Sequence, residues 1–196
     1  MILWSDDCVE TAWTPEIVDA RDDEALMNVT LRPECPEDRQ SIWSVNHAAF
    51  GNDAEANLVD ALRQDGFAEV SVVAEIDDQI VGHILFSPIS ILASDQTVSG
   101  VSLAPMAVLP RHQRQGIGIK LVETGLQSCR DQGHQIAVVL GHPEFYSRFG
   151  FSSDLAQPLE SPFGGGDAWM AIELVAGALS GVTGSVQYSP PFTAFE

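Results

Sequence analysis

Lysine is nearly missing from this chain, with Lys120 the only one in 196 residues. Nine basic residues stand against 28 acids, for a formal charge of −19. A surface so short of positive charge repels phosphate backbones, which argues against nucleic acid as a partner and suits cationic ones such as amines or basic peptide termini. Solubility in a salty environment is the other reading of that charge. Long apolar runs are also lacking: none approaches the roughly 18 residues that a membrane helix needs. The start, Met1-Ile2-Leu3-Trp4-Ser5-Asp6-Asp7, has neither the basic region nor the apolar stretch of a secretory signal. Cysteine is scarce and scattered, at Cys8, Cys35 and Cys129. An odd number at such spacing suits no disulfide framework and no zinc site, so no metal and a reducing cytoplasm are expected.

What is there is globular. Apolar residues make up 45% of the chain and are spread along it, enough for one core-forming domain over 29–196. An acidic arm over 1–28, with eight acids against Arg21, precedes it and could cover a partner subunit in a homodimer. Val29–Arg32 predicts a first strand, and Pro36-Glu37-Asp38 opens a helix whose apolar face is Ile42, Val45 and Ala49. A second helix from about Ala54 to Gln64 carries Leu58, Val59 and Leu62 and stops at Gly66. Val70–Ile76 and Ile80–Leu92 predict strands joined across Asp77-Asp78-Gln79. A further turn at Ala93–Thr97 leads back into Val98–Leu109, where Pro105 marks a bulge or kink. Three strands in a meander followed by strand, helix and strand (Gln135–Leu140) predict a mixed α/β sheet with helices on both faces. Trp169–Leu174 and Gly181–Tyr188 predict two more strands, Ser161–Gly166 a connecting glycine loop, and Ser189-Pro190-Pro191 a terminal arm.

One stretch organises the rest: Gln113-Arg114-Gln115-Gly116-Ile117-Gly118. A β-prone strand enters it, and Ile117, Leu121, Val122, Leu126 and Cys129 leave it at helical spacing. Backbone N–H groups and the positive end of a helix dipole then converge where a phosphate could sit. No Walker loop is present, and Leu121 stands where a Rossmann fingerprint needs its third glycine. Arg111, Arg114 and Lys120 supply a third of all basic residues within ten positions, for which an anionic ligand is the simplest reason.

This Gln-x-x-Gly-x-Gly loop resembles motif A of the GNAT superfamily of acetyl-CoA-dependent N-acetyltransferases. Leu31-Arg32-Pro33-Glu34, Ala48-Ala49-Phe50, Leu140–Phe151 and Gly177–Tyr188 are similar to its YhbS-like branch. The resemblance implies a mostly antiparallel central sheet in which the strands on either side of the long helix run parallel and splay. It implies acetyl-CoA as co-substrate, its pantetheine arm along Met106, Ala107 and Val108 and beside Phe145, its pyrophosphate on Gln113, Arg114, Gln115, Gly116, Ile117 and Gly118. In the family's Phe-Tyr-x-x-x-Gly-Phe segment the tyrosine is Tyr146, expected to assist departure of the thiolate. A phenol of pKa about 10 can hydrogen-bond or protonate that sulfur. His47, Phe50, Asp53 and Glu55 fall on the substrate-side wall, and His83 reads as a satisfied histidine within a strand. Many relatives carry a glutamate in the strand before motif A, yet Val98–Leu109 has no acid. The base is left among His142, Glu144, a water relay or none. Two functions result: acetyl transfer to a primary amine, small molecule or peptide N-terminus, by direct attack, or an acyl-CoA-binding module without turnover. No covalent acyl-enzyme on a cysteine is expected.

Overall fold

The computed structural model describes residues 29–195; the acidic arm expected over 1–28 lies outside them. Eight strands form one sheet: β1 Thr30–Pro33, β2 Val70–Ile76, β3 Gln79–Ala93, β4 Thr97–Val108, β5 Ile136–Leu140, β6 Leu159–Glu160, β7 Trp169–Glu173 and β8 Gly184–Tyr188. The main path runs β1-β2-β3-β4-β5-β7, antiparallel throughout except for the parallel pair β4 and β5. Strand β3 is 15 residues long and uses one edge twice. Its first half pairs with β2, and Ile89–Ala93 pair with β8, which also takes β6 in parallel.

Local chemistry explains these elements. Asp77 and Asp78 both hold positive φ, 48° and 59°, the conformation a two-residue hairpin turn needs and that acids tolerate. A 3₁₀ turn at Pro36–Asp38 leads into α1 (Arg39–Phe50), so the helix opens one turn later than the proline suggests. The second helix, α2, spans Ala54–Gln64, and Gly66 follows it at φ 78°. The long helix α3 covers Ile117–Asp131. Two single turns, α4 (Pro143–Tyr146) and α5 (Ser153–Ala156), sit in the connection from β5 to β7.

Strand alternation divides the core between the two faces. Val72, Ala74, Ile84 and Phe86 pack with Ile117, Leu121, Val122 and Leu126 of α3. Val73 and Leu85 turn the other way, onto Ile42 of α1 and Leu58, Val59 and Leu62 of α2. A third cluster joins Ile89 and Ile91 to Trp169, Ala171 and Val186 around the far half of the sheet. The terminal arm differs from expectation: Pro190–Phe195 form a 3₁₀ turn, and Phe192 is fully buried beside α2. Among the described residues no helix is long and apolar enough to cross a membrane.

Candidate active site

The site grows from a break in the sheet. Strand β5 pairs with β4 at Val101↔Ala137 and Ser102↔Val138, after which the two part. Opposite Leu85, β4 carries the extra residues of a bulge, since Ile84 pairs with Met106 and Phe86 with Leu103. Leu109 N–H donates to Val81 O at 2.8 Å. By antiparallel alternation Met106 and Val108 then turn their main-chain groups to the opposite edge, toward β5. Gln113 Nε2 donates to Val108 O on that edge at 3.0 Å, tying the loop to the strand.

After Pro110–His112 the chain enters the loop extended at Gln113, then takes φ 61° at Arg114 and 80° at Gly116. Only a residue without Cβ adopts the second freely, and this left-handed Gly116 is the N-cap of α3. No side chain caps that helix, so the N–H groups of its first turn face outward with the dipole behind them. Gly118 faces Phe145 and Met106: a Cβ there would lie 3.5 Å from the Phe145 ring and 3.7 Å from Met106 Cε. Arg111 Nε donates to His112 Nε2 at 3.0 Å, and Gln115 Nε2 to Arg111 O at 3.2 Å. The structure thus brings Met106, Val108, Gln113, Gly116, Gly118 and Phe145 to one edge.

Tyr146 closes the slot. It is buried, with its ring edge-on to Phe145 at 5.0 Å and to Phe151 at 5.8 Å. The ring lies across Gly141, where a Cβ would collide with it, so the glycine after β5 makes room for the tyrosine. Burial alone pushes the phenol well above its ordinary pKa. Tyr146 lines a cleft with Ser102, Leu103, Met106 and Leu140 from the parted strands and with Phe50 and Glu55 from the helical wall.

Of the four substrate-side candidates, Phe50 and Glu55 line this cleft, while His47 and Asp53 do not. Those two meet each other on the surface at 2.7 Å. His142 and Glu144 are exposed and lie outside the lining as well. His83 is fully buried and hydrogen-bonded, with Nε2 2.9 Å from Ser71 Oγ and Nδ1 3.3 Å from Asn46 Nδ2. Burial holds its pKa down despite the nearby Glu34 carboxylate. The remaining wall was not singled out in the sequence as a unit. Phe163 from the glycine loop, Tyr188 at the end of β8 and Phe192 pack together edge-on and tilted, with centroids 4.9 and 5.0 Å apart around Tyr188. Their one sequence signal is aromatic residues beside Gly and Pro runs in the last third of the chain.

The sequence profile of the acetyltransferase (GNAT) domain matches residues 30–153. The N-acetyltransferase YhbS of Escherichia coli K12, itself uncharacterized, is 38% identical over 167 residues, which cover 84% of this chain and 99% of YhbS. The crystal structure of Escherichia coli YhbS in complex with CoA is similar at a TM-score of 0.79 and 37% identity, over 86% of this chain and 94% of that one. A GNAT family acetyltransferase from Brucella melitensis, in complex with acetyl-CoA, follows at a TM-score of 0.69 and 33% identity, over 84% and 97% of the two chains.

Proposed function

The chain belongs to the GNAT family of N-acetyltransferases, and from that premise we propose that it moves the acetyl group of acetyl-CoA to a primary amine by direct attack. Acetyl-CoA supplies the activated thioester, as the ligands of the two similar structures suggest. The uncapped first turn of α3 and the loop before it, Gln113 to Gly118, suit a pyrophosphate by their outward N–H groups. The open edge of β4 at Met106 and Val108, with Phe145 across from it, suits the amide-bearing arm, whereas Ala107 between them turns its main-chain groups to β3 and offers only its side of the strand.

Tyr146 carries the reading, because its phenol is buried in the slot where the strands part. Attack of nitrogen on the carbonyl carbon expels a thiolate, and a neutral phenol in a dry slot is a donor for that sulfur. A raised pKa keeps the phenol protonated at pH values where amines begin to lose their protons. The test is release of CoA thiol with a panel of polyamines, amino acids, aminoglycosides, arylalkylamines and peptide N-termini. Turnover above background hydrolysis with one class is expected. The rival reading, a CoA-binding module without turnover, draws on the absence of any acid from Val98–Leu109. It prevails if the protein binds acetyl-CoA and no amine releases thiol.

A further inference from the structure

Glu55 is a carboxylate in the wrong surroundings for a bystander. It is only 7% exposed, it lines the cleft with Tyr146, and among the described residues its Oε2 has no hydrogen-bond partner. A buried carboxylate oxygen without a donor is costly, and native structures rarely keep one unless something else supplies the donor. The local frame helps to hold the negative charge, since Glu55 sits in the first turn of α2, at the positive end of that helix.

The rest of the lining says what kind of donor fits. Phe50, Leu103, Phe163, Tyr188 and Phe192 make apolar walls, and among the described residues no lysine or arginine takes part. Resting on the acetyl-transfer reading above, we propose that Glu55 binds the ammonium group of the acceptor and accepts its first proton, and that this acceptor is a singly charged primary amine on an apolar, aromatic-sized body. One buried carboxylate matches one ammonium. A second positive charge, as in a polyamine or an aminoglycoside, would lie against aromatic walls without a counter-ion.

The protons balance. The substrate arrives as an ammonium ion, and Glu55 takes one proton to free the nitrogen lone pair. The N–C bond forms and the C–S bond breaks. Tyr146 gives its proton to sulfur, the second proton leaving nitrogen restores the phenol, and Glu55 returns its own to water after the amide departs. This assigns the base to a helix of the substrate wall instead of the strand before the glycine loop.

The experiment uses the full chain saturated with CoA, titrated calorimetrically with 2-phenylethylamine and with spermidine, together with thiol-release kinetics on the same amines. Phenylethylamine should bind and turn over with a kcat/KM roughly 10-fold or more above spermidine, the discrimination a buried unpaired charge imposes. Glu55→Gln should weaken amine binding about 10- to 100-fold, as loss of a charge-assisted hydrogen bond predicts, and should flatten the pH dependence of kcat. Acetyl-CoA affinity should not change, which also reports that the variant folds, and Glu55→Asp should retain part of both effects. The proposal is overturned if Glu55→Gln binds and acetylates amines as the unsubstituted chain does, or if spermidine is preferred. Glu55-dependent amine binding without thiol release would keep the proposal and remove the acetyl-transfer reading. Thiol release indifferent to Glu55 would do the reverse, and neither binding nor release would remove both.

Discussion

Tyr146 and Glu55 are opposite cases of a buried group at one cleft. The tyrosine is enclosed by Phe145, Phe151 and the bare backbone of Gly141, and burial makes its phenol a weaker acid that stays protonated. Tyr146→Phe keeps the ring and its edge contacts, so acetyl-CoA affinity by calorimetry should be unchanged. With the proton donor gone, kcat should fall about 10²- to 10⁴-fold. The pH profile adds a second check: with the donor's pKa raised by burial, Tyr146 should impose no falling limb of its own below about pH 10. An unchanged kcat for Tyr146→Phe would remove the tyrosine from the chemistry. The tyrosine was legible because its neighbours Phe145, Gly150 and Phe151 are local in the chain. Glu55 was legible only as one of four candidates on the same wall. What separates it from Asp53 is that it is buried and lines a cleft shared with Phe163, Tyr188 and Phe192, more than a hundred residues away in sequence, and no local pattern encodes that.

At the scale of elements, the segment from β4 into α3 is the most legible part of the molecule. Strand, left-handed glycine and amphipathic helix are each written in neighbouring residues, and the proline marked the bulge in β4. The hairpin at Asp77-Asp78 was legible for the same reason. Pairings set by distant segments were not: β8 lying on the second half of β3, and Pro190–Phe195 folding back onto α2, follow from apolar residues finding the faces left open. The glycine loop carries its own prediction. A Cβ on Gly118 would make ordinary contacts with Phe145 and Met106, so Gly118→Ala should leave acetyl-CoA binding within a few fold. Gly118→Trp must spread into the space before the first helical turn and should abolish measurable binding in calorimetry, with the melting temperature little affected. Equal affinity for both variants would mean that the cofactor does not approach this turn.

On the whole molecule, one buried polar chain links both helices of the substrate wall to the sheet. Arg63 of α2 grips Glu34 through Nε at 2.7 Å and Nη2 at 2.9 Å. Ser71 of β2 donates to Glu34 and lies 2.9 Å from His83 Nε2 of β3, and Asn46 of α1 donates toward His83 Nδ1 at 3.3 Å. An Asn46 donor on Nδ1 leaves the proton on Nε2, so the imidazole is neutral and passes a hydrogen bond by way of Ser71 to the carboxylate. Burial lowers the pKa of His83. Burial alone would raise that of Glu34, but the hydrogen bonds from Arg63 and Ser71, with the His83 ring 3.7 Å away, outweigh it and hold it well below the carboxylate range. Both shifts have the same sign in stability. Below about pH 6.5 the unfolded chain protonates its histidine while the folded chain does not, so stability falls on acidification; below about 4.5 Glu34 adds to the loss. The net charge of −19 acts against this only where carboxylates begin to neutralise, since repulsion then relaxes. Between pH 7 and pH 5 the buried histidine contributes up to about 1.4 kcal/mol of unfolding free energy per pH unit. Urea unfolding across that window should show stability falling toward pH 5, and His83→Gln, although less stable at pH 7, should lose most of that slope. A slope that survives in His83→Gln would mean that this histidine does not carry the acid sensitivity.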